Sequence, residues 1–174
     1  MTLLGNCMAM MDEGIGRMRE AISHLPAEQA TLCRLMSMVG KRMDEGLEEK
    51  LKPHQLNHSE FLTLMMLYSR PDGSSTPGEL CEFTSQGSTN MTRIGNTLVK
   101  RGLISRGASA EDRRCVVMRI SAAGRRFVLK MLPPMFPRLE AMFAGFSATE
   151  RSQLSRLLRK LANNLDQLDA EDAS

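Results

Sequence analysis

Apolar residues recur at helical spacing along most of the chain, and the points where that spacing fails divide it into elements. Met8, Met11, Ile15, Met18 and Ile22 step by three or four, which predicts an amphipathic helix over about residues 5–24, ended by Pro26. Gly14 and Gly16 weaken it, each by about 1 kcal/mol relative to alanine. Leu32, Leu35, Met36, Val39, Met43 and Leu47 form a longer stripe. It predicts a helix over about 26–50, with Pro26 in the first position, Glu28 in the first turn and Lys52-Pro53 as the stop. Asn57 or Ser59 can cap the next segment. Its Phe61, Leu62, Leu64, Met65 and Leu67 are apolar nearly all round, the pattern of a buried helix. Arg70-Pro71-Asp72-Gly73-Ser74 reads as a turn.

Between residues 74 and 124 the periodicity changes twice. Thr76 is a candidate N-cap, and Pro77 suits the first turn of a short helix over 77–83 with Leu80 and Phe83 facing inward. Thr84-Ser85-Gln86-Gly87 turns the chain. A second helix, capped by Gly87 or Ser88, runs to 100 or 101, with Met91, Ile94, Leu98 and, at the edge, Val99 on one face. Ser88, Thr89, Asn90, Thr92, Arg93 and Asn96 occupy the rest. They are short or hydrogen-bonding side chains, as a groove-reading surface requires. Gly102 is a C-terminal stop. Residues 103–106 and 115–120 read as strands around a polar tip, 107–114, where Arg113 and Arg114 are adjacent and Asp112 is placed to hold one of them by an ion pair. Helix, turn, helix and hairpin in this order is a winged helix-turn-helix. Such a module puts one helix in the major groove of DNA, and an arginine-tipped hairpin can enter the minor groove.

Ser121 opens a further helix, with Gly124 a weak spot in it, through Phe127, Val128 and Met131 to Leu132; Pro133-Pro134 and Pro137 break or kink it. Ser147-Ala148-Thr149-Glu150 is a capping box for a last helix to about 168, with Leu154, Leu157, Leu158, Leu161, Leu165 and Leu168 near a 3.5 period and a frayed acidic tail from Asp169. Two apolar-striped helical regions therefore flank a module too small to cover them. A partner subunit covers them more economically than an intrachain four-helix packing. The expected fold is mainly α with a small β-hairpin wing. Residues 1–55 and 125–174 form N- and C-terminal helical dimerisation regions, and 56–124 the winged helix-turn-helix.

Charge sharpens this picture. The 174 residues carry net +3, but residues 93–130 hold ten Lys/Arg against Glu111 and Asp112, an excess of eight, so the remainder is net acidic by five. That concentration is the footprint of a phosphate-backbone binder. Cysteines 7, 33, 81 and 115 have no CxxC or paired spacing, which argues for a reducing compartment and against a disulfide framework or zinc site. His54 and His58 have chelating spacing but no third ligand nearby, and Cys33 and Cys115 are weak candidates for a thiol sensor. No apolar run approaches a membrane span and no secretion signal opens the chain, so a cytoplasmic protein without membrane contact is expected. No nucleophile elbow, phosphate loop or dinucleotide fingerprint points to an enzyme.

The runs TNMTRIGNTLVKRGLISR, EDRRCVVMRISAAG and MLPPMFPRLEAMFAGFSATERSQLSRLLRKL together resemble the MarR family of bacterial transcription regulators, most closely its EmrR/MprA branch; the resemblance covers about residues 30–169. It implies an obligate homodimer on a pseudo-palindromic DNA operator, usually a repressor, with no cofactor. By position it places Ser85, Gln86, Ser88, Thr89, Asn90, Thr92 and Arg93 on the recognition helix and its lead-in, Arg113 and Arg114 on the wing, and Asp112 as brace. Many relatives release DNA when a small aromatic acid or phenol binds between the dimer helices and the winged domain. The pocket implied draws on Arg34, Val39, Arg42, Met43, His58, Phe61, Leu62 and Met65. A DNA-binding regulator with no effector, or a thiol-based sensor, are the alternatives. Arg93 is expected to make the most sequence-specific contact, to guanine O6 and N7. Arg93→Ala should then cost ~1–3 kcal/mol of operator binding and relax preference at one base. Binding to base-substituted duplexes checks this, and uniform weakening on every duplex counts against the role.

Overall fold

The structure is a computed structural model that describes residues 3–108 and 115–172. In order, its elements are α1 (Leu3–Ala21), α2 (Ala27–Leu51), a 3-10 turn (Lys52–His54), α3 (His58–Ser69), β1 (Ser74–Ser75), α4 (Pro77–Thr84), α5 (Ser88–Lys100), β2 (Ile104–Ala108), β3 (Val116–Ile120), α6 (Ala122–Met131), a second 3-10 turn (Pro133–Met135), α7 (Phe136–Met142) and α8 (Ala148–Asp172). The chain falls into two compact units, Met1–Val128 and Leu129–Ser174. The fold is mainly α with a winged helix-turn-helix at its centre.

Local chemistry sets most boundaries. Three helices start at reciprocal capping boxes. The Glu60 N–H donates to Asn57 Oδ1 at 2.9 Å while the Asn57 N–H donates to Glu60 Oε2 at 3.1 Å. Thr76 and Glu79 do the same for α4, and Ser147 and Glu150 for α8. Ser75 Oγ also donates to Glu79 Oε2, at 2.6 Å, and with the Thr76 N–H and Arg70 it holds the Glu79 carboxyl below its ordinary range. Pro26 is the N-cap of α2 rather than its first helical residue.

The sheet has three strands, ordered β1-β3-β2, not the two expected. β2 and β3 pair antiparallel with Ile104 opposite Ile120 and Ala108 opposite Val116, so Gly107 and Ala108 belong to a strand rather than to the tip. β1 adds Ser74 opposite Arg119 and Ser75 opposite Met118. Two serines after a turn carry no strand signal. What extends them is Asp72, whose carboxylate accepts from the Ser74 N–H at 3.1 Å and from the Ser74 hydroxyl, and is thereby kept below its ordinary pKa.

The core of the first unit gathers Leu51, Leu56, Leu64, Leu67, Leu80, Met91, Ile94, Leu98, Leu103, Ile104, Val117, Met118 and Ile120. Several expectations are corrected here. Phe83 is 53% exposed; Thr84 takes the inward place, buried, with its hydroxyl donating to the Leu80 carbonyl at 2.6 Å. Val99 is exposed. α3 is not buried all round: Thr63, Leu64 and Leu67 are buried, while Phe61, Leu62, Met65 and Met66 are half-buried. Pro137 does not break a helix, since it lies in the first turn of α7, where its missing N–H costs nothing. α8 runs to Asp172, past the expected stop at 168, because no glycine or proline intervenes.

Gly124 is a requirement rather than a weak spot. A Cβ there would strike the Leu103 carbonyl and come within 2.9 Å of Ile120 Cγ1. Ser121 fixes this corner: its hydroxyl donates to the Gly102 carbonyl at 2.6 Å and accepts from the Gly124 N–H at 2.9 Å. At Gly14 in α1, by contrast, nothing lies within 4 Å of an added Cβ. The two glycine-to-alanine substitutions should therefore have opposite signs in urea denaturation. Gly14→Ala should stabilise by about 0.5–1 kcal/mol through helix propensity, and Gly124→Ala should destabilise by about 1–3 kcal/mol through overpacking.

Candidate nucleic-acid interface

The amphipathic pattern of α5 decides what it offers. Met91, Ile94, Gly95 and Leu98 are buried, so Ser88, Thr89, Thr92, Arg93 and Asn96 are left on the outside, with Asn90 half-buried at the margin. The lead-in is tight. α4 ends at Ser85, a non-glycine residue in the left-handed region at φ +50°, and the Gln86 N–H returns to the Cys81 carbonyl at 2.9 Å.

Side chains on this face are already ordered. Gln86 Nε2 donates to the Thr84 carbonyl at 3.1 Å, and the Asn90 amide donates to Gln86 Oε1. Asn90 Oδ1 in turn accepts both Nε, at 3.1 Å, and Nη2, at 2.8 Å, of Arg93. The turn, the helix face and the exposed Arg93 on it thus form a chain of hydrogen bonds, which fixes the direction of the guanidinium before any partner arrives. Thr92 and Thr97 donate back to the carbonyls of Ser88, at 3.0 Å, and Arg93, at 3.1 Å, so Thr92 presents a methyl group and an acceptor.

Arg106 was missed by sequence reasoning. It lies on β2 and reaches across to α5, where Nη1 donates to Asn96 Oδ1 at 2.6 Å and Nη2 to the Thr92 carbonyl at 3.0 Å. Gly95 permits this approach, because a Cβ there would strike the Arg106 guanidinium and come within 2.8 Å of Met118 Cε. A glycine in the middle of an otherwise well-formed helix was the available signal. Beside this brace opens a hollow of about 520 Å³, lined by Pro77, Thr92, Arg106, Gly107, Val116 and Met118. Asp112, Arg113 and Arg114 lie outside the described residues.

The residues expected around an effector are spread over α2 and α3. Val39 and Met43 are exposed, and Arg42 Nη1 lies 3.4 Å from Glu45 Oε2. His58, half-buried at the start of α3, has Nδ1 3.7 Å from Asp44 Oδ1. Phe61, Leu62 and Met65 are half-buried. Arg34 lines a separate hollow of about 440 Å³ with Met10, Met11, Ile15 and Met18, among others, and none of the other seven joins it there. Among the described residues no group of three or more His, Cys, Asp or Glu could hold a metal ion, and no helix is long and apolar enough to cross a membrane.

The sequence profile of the MarR family matches residues 54–114. The chain is 34% identical over 146 residues to the transcriptional repressor MprA of Escherichia coli K12, covering 84% of this chain and 83% of that protein. Its fold is similar to a mutant MarR from Escherichia coli complexed with operator DNA, at a TM-score of 0.67 and 27% identity, covering 79% of this chain and 97% of the other. It is also similar to AbsC, a MarR family transcriptional regulator from Streptomyces coelicolor. There the TM-score is 0.72 and the identity 19%, over 82% of this chain and 96% of the other, a likeness of fold.

The contact between Gly95 and Arg106 can be tested by a double-mutant cycle. Gly95→Ala alone should destabilise by about 1–3 kcal/mol by forcing the guanidinium and Met118 aside. In an Arg106→Ala background, already weakened by the loss of its two hydrogen bonds, the same substitution should cost measurably less in urea denaturation. Simple additivity would refute the close approach.

Proposed function

The chain belongs to the MarR family, and from that premise we propose that it is a transcription regulator: a homodimer that represses by gripping a pseudo-palindromic operator and lets go when a small aromatic carboxylate or phenol binds. The observation that carries the DNA part is the ordered chain Gln86–Asn90–Arg93 on the exposed face of α5, braced from the wing by Arg106. It offers a guanidinium fork suited to guanine, flanked by small hydroxyl side chains suited to phosphates and thymine methyls. Ser88 and Thr89 lie exposed at the start of the same helix, where backbone N–H groups favour anions, and Ser85 is exposed in the turn before it.

Doubling is supported by what the two units leave uncovered. Leu32, Met36, Val39 and Met43 on α2 are exposed, as are Leu157, Leu158, Leu165 and Leu168 on α8. Stripes of this length on a monomer mark surfaces meant for burial. A two-fold partner would present two copies of α5 to successive turns of one face of DNA, about 34–36 Å apart.

The effector part rests on the hollow beside α5. It is an open hollow with room for a small aromatic ligand, and Arg106 on its wall is the cation a carboxylate requires. An anion there competes with Asn96 and the Thr92 carbonyl for the same guanidinium, so ligand occupancy and the braced helix oppose one another. The set around His58 on α2 and α3 is the other location this reading allows. Substituting Arg106 and His58 separately by alanine distinguishes the two.

Selection of bound duplexes from a randomised pool tests the reading as a whole. The recovered DNA should hold an inverted repeat with half-sites about one helical turn apart, bound by a species of dimer mass. Affinity should fall steeply with salt, and salicylate or a related aromatic acid should weaken it. A monomer in sedimentation, or no salt-sensitive preference for any inverted repeat, would sink the proposal.

A further inference from the structure

The last turn of the reading helix is fastened to a part of the chain far away in sequence. Arg101 is the C-cap of α5, with φ −82° and ψ −3°, and Gly102 beyond it takes φ +69°. The Arg101 guanidinium does not point at the groove-facing side chains. Nη1 donates to the Gln55 carbonyl at 2.6 Å and Nη2 to the His54 carbonyl at 2.8 Å. Its Cζ lies 5.6 Å over the ring of Phe127 on α6, and the imidazole of His54 meets that ring edge-on at 5.9 Å. Three elements therefore converge on one side chain: the end of α5, the 3-10 turn that finishes α2, and α6.

The choice of arginine follows from what it touches. His54 and Gln55 close the 3-10 turn, and Gln55 holds the left-handed region at φ +53°. Carbonyls at such an end lack intrahelical partners and carry the negative end of the helix dipole. A planar guanidinium can take two of them at once and still stack on an aromatic face, whereas a lysine ammonium cannot do both.

We propose that Arg101 is a positioning residue. It sets the angle at which α5 meets DNA by tying the C-terminal end of that helix to the end of α2 and to α6, and so delivers displacements of those helices to the reading face. The lever arm is long. The 13 residues of α5 span about 20 Å, so a tilt of about 5° at Arg101 moves the first turn by roughly 1.5 Å. That is enough to break base contacts at Ser88 to Arg93 while leaving the apolar side of the helix buried. The guanidinium is engaged with protein carbonyls, which separates this role from a phosphate contact.

The inference rests on the proposed function, and its test keeps the two apart. The probes are the inverted repeat selected by the wild-type protein and a scrambled duplex of the same length and composition. Arg101→Lys keeps the charge, Arg101→Gln removes it, and Phe127→Leu removes the ring while keeping apolar volume. Arg101→Lys should lose about tenfold or more on the selected repeat and no more than about twofold on the scrambled duplex, with an unchanged salt slope. Phe127→Leu should shift in the same direction. In the free protein, amide hydrogen exchange in residues 54–56 and 97–103 should accelerate in Arg101→Lys.

Three results would overturn the inference. One is full discrimination in Arg101→Lys. Another is equal weakening on both duplexes in Arg101→Gln with a salt slope reduced by about one, which would make Arg101 a phosphate contact. The third is unchanged exchange at both ends of the tether. If the wild-type protein selects no duplex, the proposed function fails, and the exchange measurement still decides whether the tether exists.

Discussion

The burial of Met91, Ile94 and Leu98 is the constraint on which the rest of this structure depends. A helix of 13 residues with three large side chains locked into a core cannot rotate about its axis, so its opposite face is chosen for it. Everything chemically interesting follows from that choice. Asn90 sits at the margin, where it can take Gln86 on one side and Arg93 on the other; Asn96 and the Thr92 carbonyl sit where a strand arginine reaches them; Arg101 ends up against the end of α2.

These arrangements share one chemical idea. Rotation about the axis is stopped by apolar burial, but tilt is limited by polar ties at the edges. Two of the ties are arginines that donate to protein acceptors rather than to solvent. A hydrogen bond of this sort adds only about 0.5–3 kcal/mol to stability, but it is directional, and direction is what a reading surface needs. On the proposed function, the same ties are also the places where a ligand or a neighbouring helix can act with little energy and large geometric effect.

Much of this fold can be read from residue order, because its punctuation is local. Asn57 with Glu60, Thr76 with Glu79 and Ser147 with Glu150 announce three helix starts, and the Met91, Ile94, Leu98 stripe assigns the two faces of α5. What escapes is set by contacts between distant residues. β1 consists of two serines that become a strand because Asp72 extends them and the edge of β3 pairs with them. Phe83 yields the core to Thr84, whose hydroxyl finds a partner in its own helix, and neither outcome is visible in hydropathy. Arg106 and Arg101 look like generic surface charge until their acceptors, 10 to 47 residues earlier in the chain, are known. Glycine carries the one overlooked clue: Gly95 and Gly124 are each small because another group occupies the place of a Cβ.

The start of α5 differs from those of α3, α4 and α8, because Gly87 precedes it and no side chain caps it. A serine or aspartate at that position would satisfy one of the open amides and strengthen the isolated helix by about 0.3 kcal/mol. It would also occupy the positive end of the helix dipole with the protein's own oxygen, and an aspartate would add repulsion toward any incoming polyanion. The molecule therefore keeps a small, permanent instability at the tip of this helix. A variant bred only for heat resistance would be drawn to remove it, on the proposed function at the expense of grip.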